Sequence, residues 1–212
     1  MSKSVLAELL EMSAARHSHL CPRQVLGVRI GLAGAAALNL YTPRRDKRLL
    51  VVLETDGCFA DGVEVASGCT VGHRTLRVED YGKIAATFID VANESALRLC
   101  PKPEIRLLAF QYADCEKRRY FAQLQAYTVM PDSELLTIQP VRLSQRVEQI
   151  VSQPGVRVNC AECGEEIING REIVRAELIL CRSCAGGAYY HVTGEPWSMP
   201  EWRARQTVKG SV

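Results

Sequence analysis

The sequence predicts an α+β protein: a mixed core domain with helices packed on a β-sheet, plus a small C-terminal four-cysteine zinc finger of the treble-clef or zinc-ribbon kind. Three observations lead there. Apolar residues recur at helical spacing near the N-terminus (Val5, Leu6, Leu9, Leu10, Met12), whereas Leu49-Leu50-Val51-Val52-Leu53 is a short apolar run that reads as a buried strand. Helix and strand patterns then follow one another without regular βαβ alternation, which favours α+β over a doubly wound sheet. Finally, two CxxC pairs stand 17 residues apart near the C-terminus. With 212 residues, 47% of them hydrophobic, the chain can bury one sizeable core beside one small unit. The expected division is a core at 1–151, a finger at 157–195 and a tail at 196–212.

Ser4 or Ser2 is suited to cap a helix running to about Arg16. Pro22 fits the first position of the next helix, Arg23 to Leu40, and places Cys21 at or near its N-cap, where free amides and the helix dipole favour a thiolate. The small residues Gly27, Gly31, Ala33, Gly34, Ala35, Ala36 and Ala37 point to close packing of this helix, most simply on the sheet. After strand 49–53, Phe59 to Ser67 can form two helical turns that Gly68 stops in a left-handed conformation. Arg74 to Glu79 and Tyr81 to Val91 read as strands, and Asn93 or Glu94 opens a helix through Leu99. Pro103 to Val129 reads as one long helix or two, Pro131-Asp132-Ser133 as a turn, and Glu134 to Leu143 as a strand. Ser152 to Gly155 reads as a linker, and Asn169-Gly170 as a hairpin tip inside the finger.

No apolar run approaches the roughly 20 residues needed to span a bilayer, and Met1 to Arg16 carries Glu8 and Glu11 within its apolar pattern, unlike a signal peptide. The expectation is a cytoplasmic protein without a membrane partner. Nine cysteines, four of them in CxxC form, then point to metal or redox use and away from a disulfide scaffold. Cys160, Cys163, Cys181 and Cys184 can close a tetrahedral sulfur shell around zinc; with all four positions filled by thiolates, that zinc holds the fold and does not catalyse. The finger alone resembles those of DksA/TraR-type transcription regulators. From Arg157 onward, however, seven Lys/Arg face seven Glu, and a zinc held by four thiolates adds negative charge, so nucleic acid is not the expected partner. The finger reads instead as a protein–protein or intersubunit module. Tyr189, Tyr190, His191, Trp197 and Trp202 follow it, and either dock a partner or cover the finger's own core.

The stretch Thr55 to His73 carries Cys58, Asp61, Cys69, Thr70 and His73 within one loop-helix-loop, with four glycines that allow close backbone approach. His17 and His19 stand just ahead of Cys21, offering nitrogen and sulfur ligands together, as thiophilic metals prefer. These groups either form a site or serve as helix caps and small core residues.

The motifs His17-x-His19-x-Cys21-Pro22 with Gly27, Asp56-Gly57-Cys58-x-x-Asp61, Gly68-Cys69-Thr70-x-Gly72 and Asp80-Tyr81-Gly82-Lys83 resemble the FmdE family, named for a component of molybdenum or tungsten formylmethanofuran dehydrogenase. The resemblance covers nearly the whole chain. It implies an α+β core, an auxiliary treble-clef zinc finger, a homodimer, a molybdenum or tungsten oxidoreductase partner, and a core site lined by cysteine and histidine. Carried over by position, that site comprises His19, Cys21, Cys58 and Cys69, with His17, Asp61 and His73 as further candidates, and holds a possible second metal. Ser18 and Arg23 depart from the family's usual glycines, and His73 from its common lysine. The complete dehydrogenase reaction is excluded for this chain alone, which lacks a ferredoxin-like cysteine run for iron–sulfur clusters. What remains is an accessory component that handles metal or redox equivalents. The alternatives are a stand-alone enzyme with Cys21 or Cys58 as nucleophile and His19 as base, or a zinc-finger adaptor without catalysis.

Overall fold

The apolar run Leu49–Leu53 forms β1, and its continuous hydrophobicity follows from burial on both faces. Leu49, Val51 and Leu53 face the main core, whereas Leu50 and Val52 face a second, smaller cluster. A computed structural model describes residues 4–17, 19–113 and 115–194. The chain divides into two compact units, Met1–Ser152 and Gln153–Val212.

In the first unit a five-stranded sheet has the order β2-β1-β3-β4-β5, with β2 at Leu76–Val78, β3 at Ala86–Asp90, β4 at Ser95–Pro101 and β5 at Leu136–Pro140. β1 pairs with β2 in parallel and with β3 in antiparallel register; β3–β4 and β4–β5 are antiparallel. One face carries α1 (Val5–Ala14, capped by Ser4), α2 (Pro22–Ala37), α3 (Cys58–Ser67), α4 (Ile105–Tyr112) and α5 (Arg119–Val129). α2 is the central helix, with Val25, Val28 and Ile30 fully buried. On the other face α7 (Val147–Ile150) covers Leu50, Ile89 and Ala96. A one-turn helix α6 (Asp132–Leu135) leads into β5. At the end of β3 the fully buried Asp90 carboxylate accepts from Arg48 Nε at 2.9 Å and Nη2 at 2.8 Å.

Two expectations are corrected. Residues 94–99 are not a helix: Asn93 and Glu94 turn a hairpin, with the Asn93 side chain accepting from the Ser95 amide and Glu94 at φ 60°, so that β4 pairs with β3. Cross-strand pairing on both edges of Ser-Ala-Leu-Arg-Leu-Cys overrides the helical propensity of Ala, Leu and Arg. Nor is Asn169-Gly170 a hairpin tip. In the second unit β6 (Arg157–Asn159) pairs with β7 (Glu166–Ile168), and β8 (Ile173–Arg175) with β9 (Leu178–Leu180). The tight turn between β8 and β9 is Ala176-Glu177, both at positive φ, while Asn169-Gly170 joins the two hairpins. Trp197, Trp202 and the expected tail at 196–212 lie outside the described residues.

Candidate functional site

Cys21 and Cys58 meet because two helices start side by side. Pro22 begins α2, and Cys21 occupies its N-cap in extended conformation. The Cys21 amide donates to Gln24 Oε1 at 2.8 Å, and the fully buried Gln24 amide donates to the Ser13 carbonyl of α1 at 2.8 Å. α3 begins at Cys58 after Gly57, whose φ of 71° and ψ of −150° is open only to glycine. Gln24 and Gly27 of α2 abut Gly62 of α3, and Gly31 abuts Val63 and Ala66, so the two helices run parallel with both cysteines at the same end. Burial first, and then the neighbouring Cys21 thiol, push the Cys58 thiol above its ordinary range.

Around the pair, the Asp61 carboxylate accepts from His17 Nε2, and from Arg16 Nη1 at 3.4 Å; the same guanidinium donates to Glu64 Oε2 at 2.5 Å. Asp61 lies one helical turn beyond Cys58 and thus on the same face. Tyr120 of α5 donates its hydroxyl to the Leu20 carbonyl at 3.2 Å, and burial together with the neighbouring Cys21 and Cys58 raises its phenol. Arg16, Glu64 and Tyr120 are absent from the sequence-derived site. Tyr120 sits about a hundred residues from Cys21 in a helix with no motif of its own, and carries no local signal. His19 is exposed.

Cys69 and His73 are not brought to this place. α3 is ten residues long, which puts about 15 Å between its ends. Beyond Gly68 (φ 75°), the buried Cys69 thiol donates to the Leu49 carbonyl at 3.4 Å, and burial raises its pKa. The exposed His73 exchanges hydrogen bonds with the Thr70 hydroxyl at 3.2 Å. Of the predicted set, Cys21, Cys58, His17 and Asp61 stand at one end of α3 and Cys69 and His73 at the other, while His19 lies in the loop ahead of α2. A cavity of about 360 Å³ on the outer sheet face, lined by Val52, Glu54, Arg77, Thr87 and Ile150 among others, contains none of them.

The second unit carries the other cluster. Cys160 and Cys163 lie on the turn between β6 and β7, and Cys181 and Cys184 flank the start of a helical turn, Ser183–Gly187, after β9. This order, a knuckle hairpin, a second hairpin and a helical turn, fits the four-cysteine finger expected from the two CxxC pairs. The four sulfurs lie within 4.8 Å of one another, and Cys163 and Cys181 are 3.9 Å apart. A tetrahedral site with Zn–S bonds of about 2.3 Å has sulfur–sulfur edges of about 3.8 Å, so the donor set fits. The Cys181 amide donates to Cys160 Sγ at 3.2 Å, and backbone N–H groups of Cys163 and Cys181 pull the Cys160 thiol down to about 6. Contact with Cys181 pushes Cys184 up instead, because four crowded sulfurs cannot all ionise without a cation among them. Among the described residues, only these four cysteines form a group of three or more potential ligands at such spacing.

A family model described as "FmdE, Molybdenum formylmethanofuran dehydrogenase operon" matches residues 16–138, more than half of the chain. The chain belongs to the FmdE family. It is 28% identical, over 222 aligned positions, to an Archaeoglobus fulgidus protein named a probable S-adenosyl-L-methionine-binding protein. That alignment covers 91% of this chain but 56% of the relative, so the chain spans little more than half the length of that protein. The crystal structure of a tungsten formylmethanofuran dehydrogenase FmdE-like protein from Syntrophus aciditrophicus superposes with a TM-score of 0.51 at 23% identity, covering 88% of this chain and 95% of the other. That similarity establishes the shared fold. The chain is thus an FmdE-like metal-binding protein with a four-cysteine group, and no helix among its described residues is long and apolar enough to cross a membrane.

Proposed function

We propose that this FmdE-like chain handles a soft metal ion or redox equivalents at Cys21 and Cys58, as an accessory to a molybdenum- or tungsten-dependent oxidoreductase of the formylmethanofuran dehydrogenase type. The observation that carries the reading is the placement of the two cysteines at the adjoining starts of α2 and α3. A cation between them would remove the cost of deprotonating Cys58. Two thiolates alone leave coordination positions open, which suits an ion that is taken up and passed on. His17, oriented by Asp61 through Nε2, keeps Nδ1 as a further donor. Zinc is the ion proposed for Cys160, Cys163, Cys181 and Cys184, where it holds the finger, and the finger in turn serves contact within a homodimer or with the partner enzyme.

The test is metal content per chain by inductively coupled plasma mass spectrometry, for wild type and a Cys21→Ser/Cys58→Ser double variant. The expected result is an excess over one zinc in wild type that the variant loses while keeping the finger's zinc. One zinc in both proteins rejects a core metal. The His17–Asp61 pair, one turn from Cys58, favours a cysteine-dependent enzyme as the second reading. Its base would be His17, oriented by Asp61. Single-turnover acylation or alkylation of Cys58 that His17→Gln slows is the signature of that chemistry.

A further inference from the structure

The geometry points to a reversible dithiol–disulfide couple between Cys21 and Cys58, driven by exchange with a low-molecular-weight disulfide. The inference rests on the reading that this pair is the reactive centre of the core, and not on a metal being held there. Three features carry it.

First, Cys21 and Cys58 stand at the adjoining starts of two parallel, closely packed helices although the residues are far apart in sequence. Second, both backbones are fixed. Cys21 is tied by its amide to Gln24, and Cys58 follows a glycine in a conformation closed to other residues. The Gly27–Gly62 contact holds the two helices together just beyond. Disulfide geometry tolerates only a narrow range of backbone separations, so a pair held on fixed, neighbouring backbones meets a demand that a random pair does not. Third, access is unequal: Cys58 is half-buried whereas Cys21 is 9% exposed. An incoming disulfide therefore meets Cys58 first, and Cys21 is placed to complete the exchange from beneath. Cys69 takes no part, because its thiol is buried on the Leu49 carbonyl at the far end of α3.

The steps balance without a further reagent. Cys58 loses its proton to solvent and its thiolate attacks one sulfur of the small disulfide; that S–S bond breaks and one small thiolate leaves, taking up a proton. Cys21, deprotonated in turn, attacks Cys58 Sγ; the mixed bond breaks and the second small thiolate leaves and is protonated. Two protein thiols are oxidised by two electrons, and one small disulfide is reduced to two thiols. A thiol pool reverses the sequence.

The experiment uses the full chain with its finger loaded, incubated with oxidised glutathione, quenched in acid, alkylated, digested with trypsin and mapped by mass spectrometry. Cys21 falls in peptide 17–23, while Cys58 and Cys69 share peptide 49–74, where fragmentation tells them apart. The expected product in wild type is peptide 17–23 linked to 49–74 through Cys58. In Cys21→Ser that linkage is lost and glutathione accumulates on Cys58. If wild type carries glutathione on Cys58 as heavily as Cys21→Ser does, with no linked peptide, Cys21 does not complete the exchange and the inference is overturned. Full alkylation of both wild-type cysteines after incubation overturns it as well. Metal counts on the same samples separate the two readings. Excess metal without a disulfide sinks this inference and leaves the metal reading standing, and a disulfide in protein without core metal does the reverse.

Discussion

Gly62→Ala tests whether the contact of α2 and α3 holds the cysteine pair in place. A Cβ at Gly62 would lie 2.8 Å from the Val28 backbone nitrogen and 2.9 Å from Gly27 Cα, and closer still to the Gln24 carbonyl oxygen. All three are backbone atoms of a buried helix, so no side chain can swing aside, and the helices must separate by roughly 0.5–1 Å to restore ordinary contact. Overpacking of this kind costs about 1–3 kcal/mol, while alanine in a helix returns about 0.5–1 kcal/mol relative to glycine. The net loss is about 0–2.5 kcal/mol, which lowers the Tm of a unit of this size by up to about 10 °C. Thermal unfolding followed by circular dichroism reads the shift. Gly72→Ala is the control, because a Cβ there meets nothing within 4 Å, and its Tm should move far less. The same separation draws Cys21 away from Cys58, so Gly62→Ala should also slow formation of their disulfide. If Gly62→Ala raises the Tm, as a gain in helix propensity alone would, the close packing of these helices is not as described and the fixed thiol pair loses its support.

Further predictions concern the surroundings. Asp90→Asn leaves the Arg48 guanidinium without its carboxylate and should cost about 1–3 kcal/mol, reduced from the value for a fully buried pair because Arg48 is itself half-exposed. The Arg48 hydrogen bonds hold the Asp90 carboxyl below its ordinary range, so its contribution is present above the unfolded carboxylate pKa of about 4 and is lost as pH falls through the lower folded value. Urea midpoints should therefore differ between wild type and Asp90→Asn at neutral pH and converge in acid; an unchanged gap in acid refutes the assignment. Cys160→Ala should release about one zinc per chain and unfold the finger, as chelators do for small zinc units, and a variant that keeps its metal shows that the four-sulfur shell is not its holder. Tyr120→Phe removes the hydrogen bond to the Leu20 carbonyl and should raise the alkylation rate of Cys58 by about two- to fivefold, the equivalent of a weak surface hydrogen bond. An unchanged rate means that Tyr120 does not restrain the loop ahead of α2.

Local signals in this chain were legible, and long-range ones were not. Pro22 after Cys21 marks a helix start and Gly68 a helix stop, because each fixes its own backbone, and both stand where the spacing predicts. The CxxC pairs likewise carry their geometry within a few residues. Cys58 and Cys69, by contrast, look like one cluster in the sequence and stand at opposite ends of α3, since a helix converts short sequence separations into length. The His17–Asp61 pair and Tyr120 depend on packing between elements that nothing local announces. β4 shows the same limit from the other side. Its residues prefer a helix in isolation and become a strand because β3 and β5 stand ready on either edge.

The two sulfur clusters differ in a way that follows from their surroundings. In the finger, four thiols are gathered on two short turns, backbone amides point at the sulfurs, and the tetrahedron is complete, so a bound ion has no vacant position through which to leave. In the core, two thiols are crowded at the starts of rigid helices, one of them half-buried, with no third ligand gathered at the same spacing among the described residues. Crowding and burial make the thiolate of Cys58 the costly form, as its raised thiol indicates. A soft cation offsets that cost by drawing both sulfurs as thiolates; a disulfide leaves no charge to be buried. The first leaves positions for another donor, and the second is undone by a pool of thiols. On either proposal the core sulfurs are exchangeable where those of the finger are fixed.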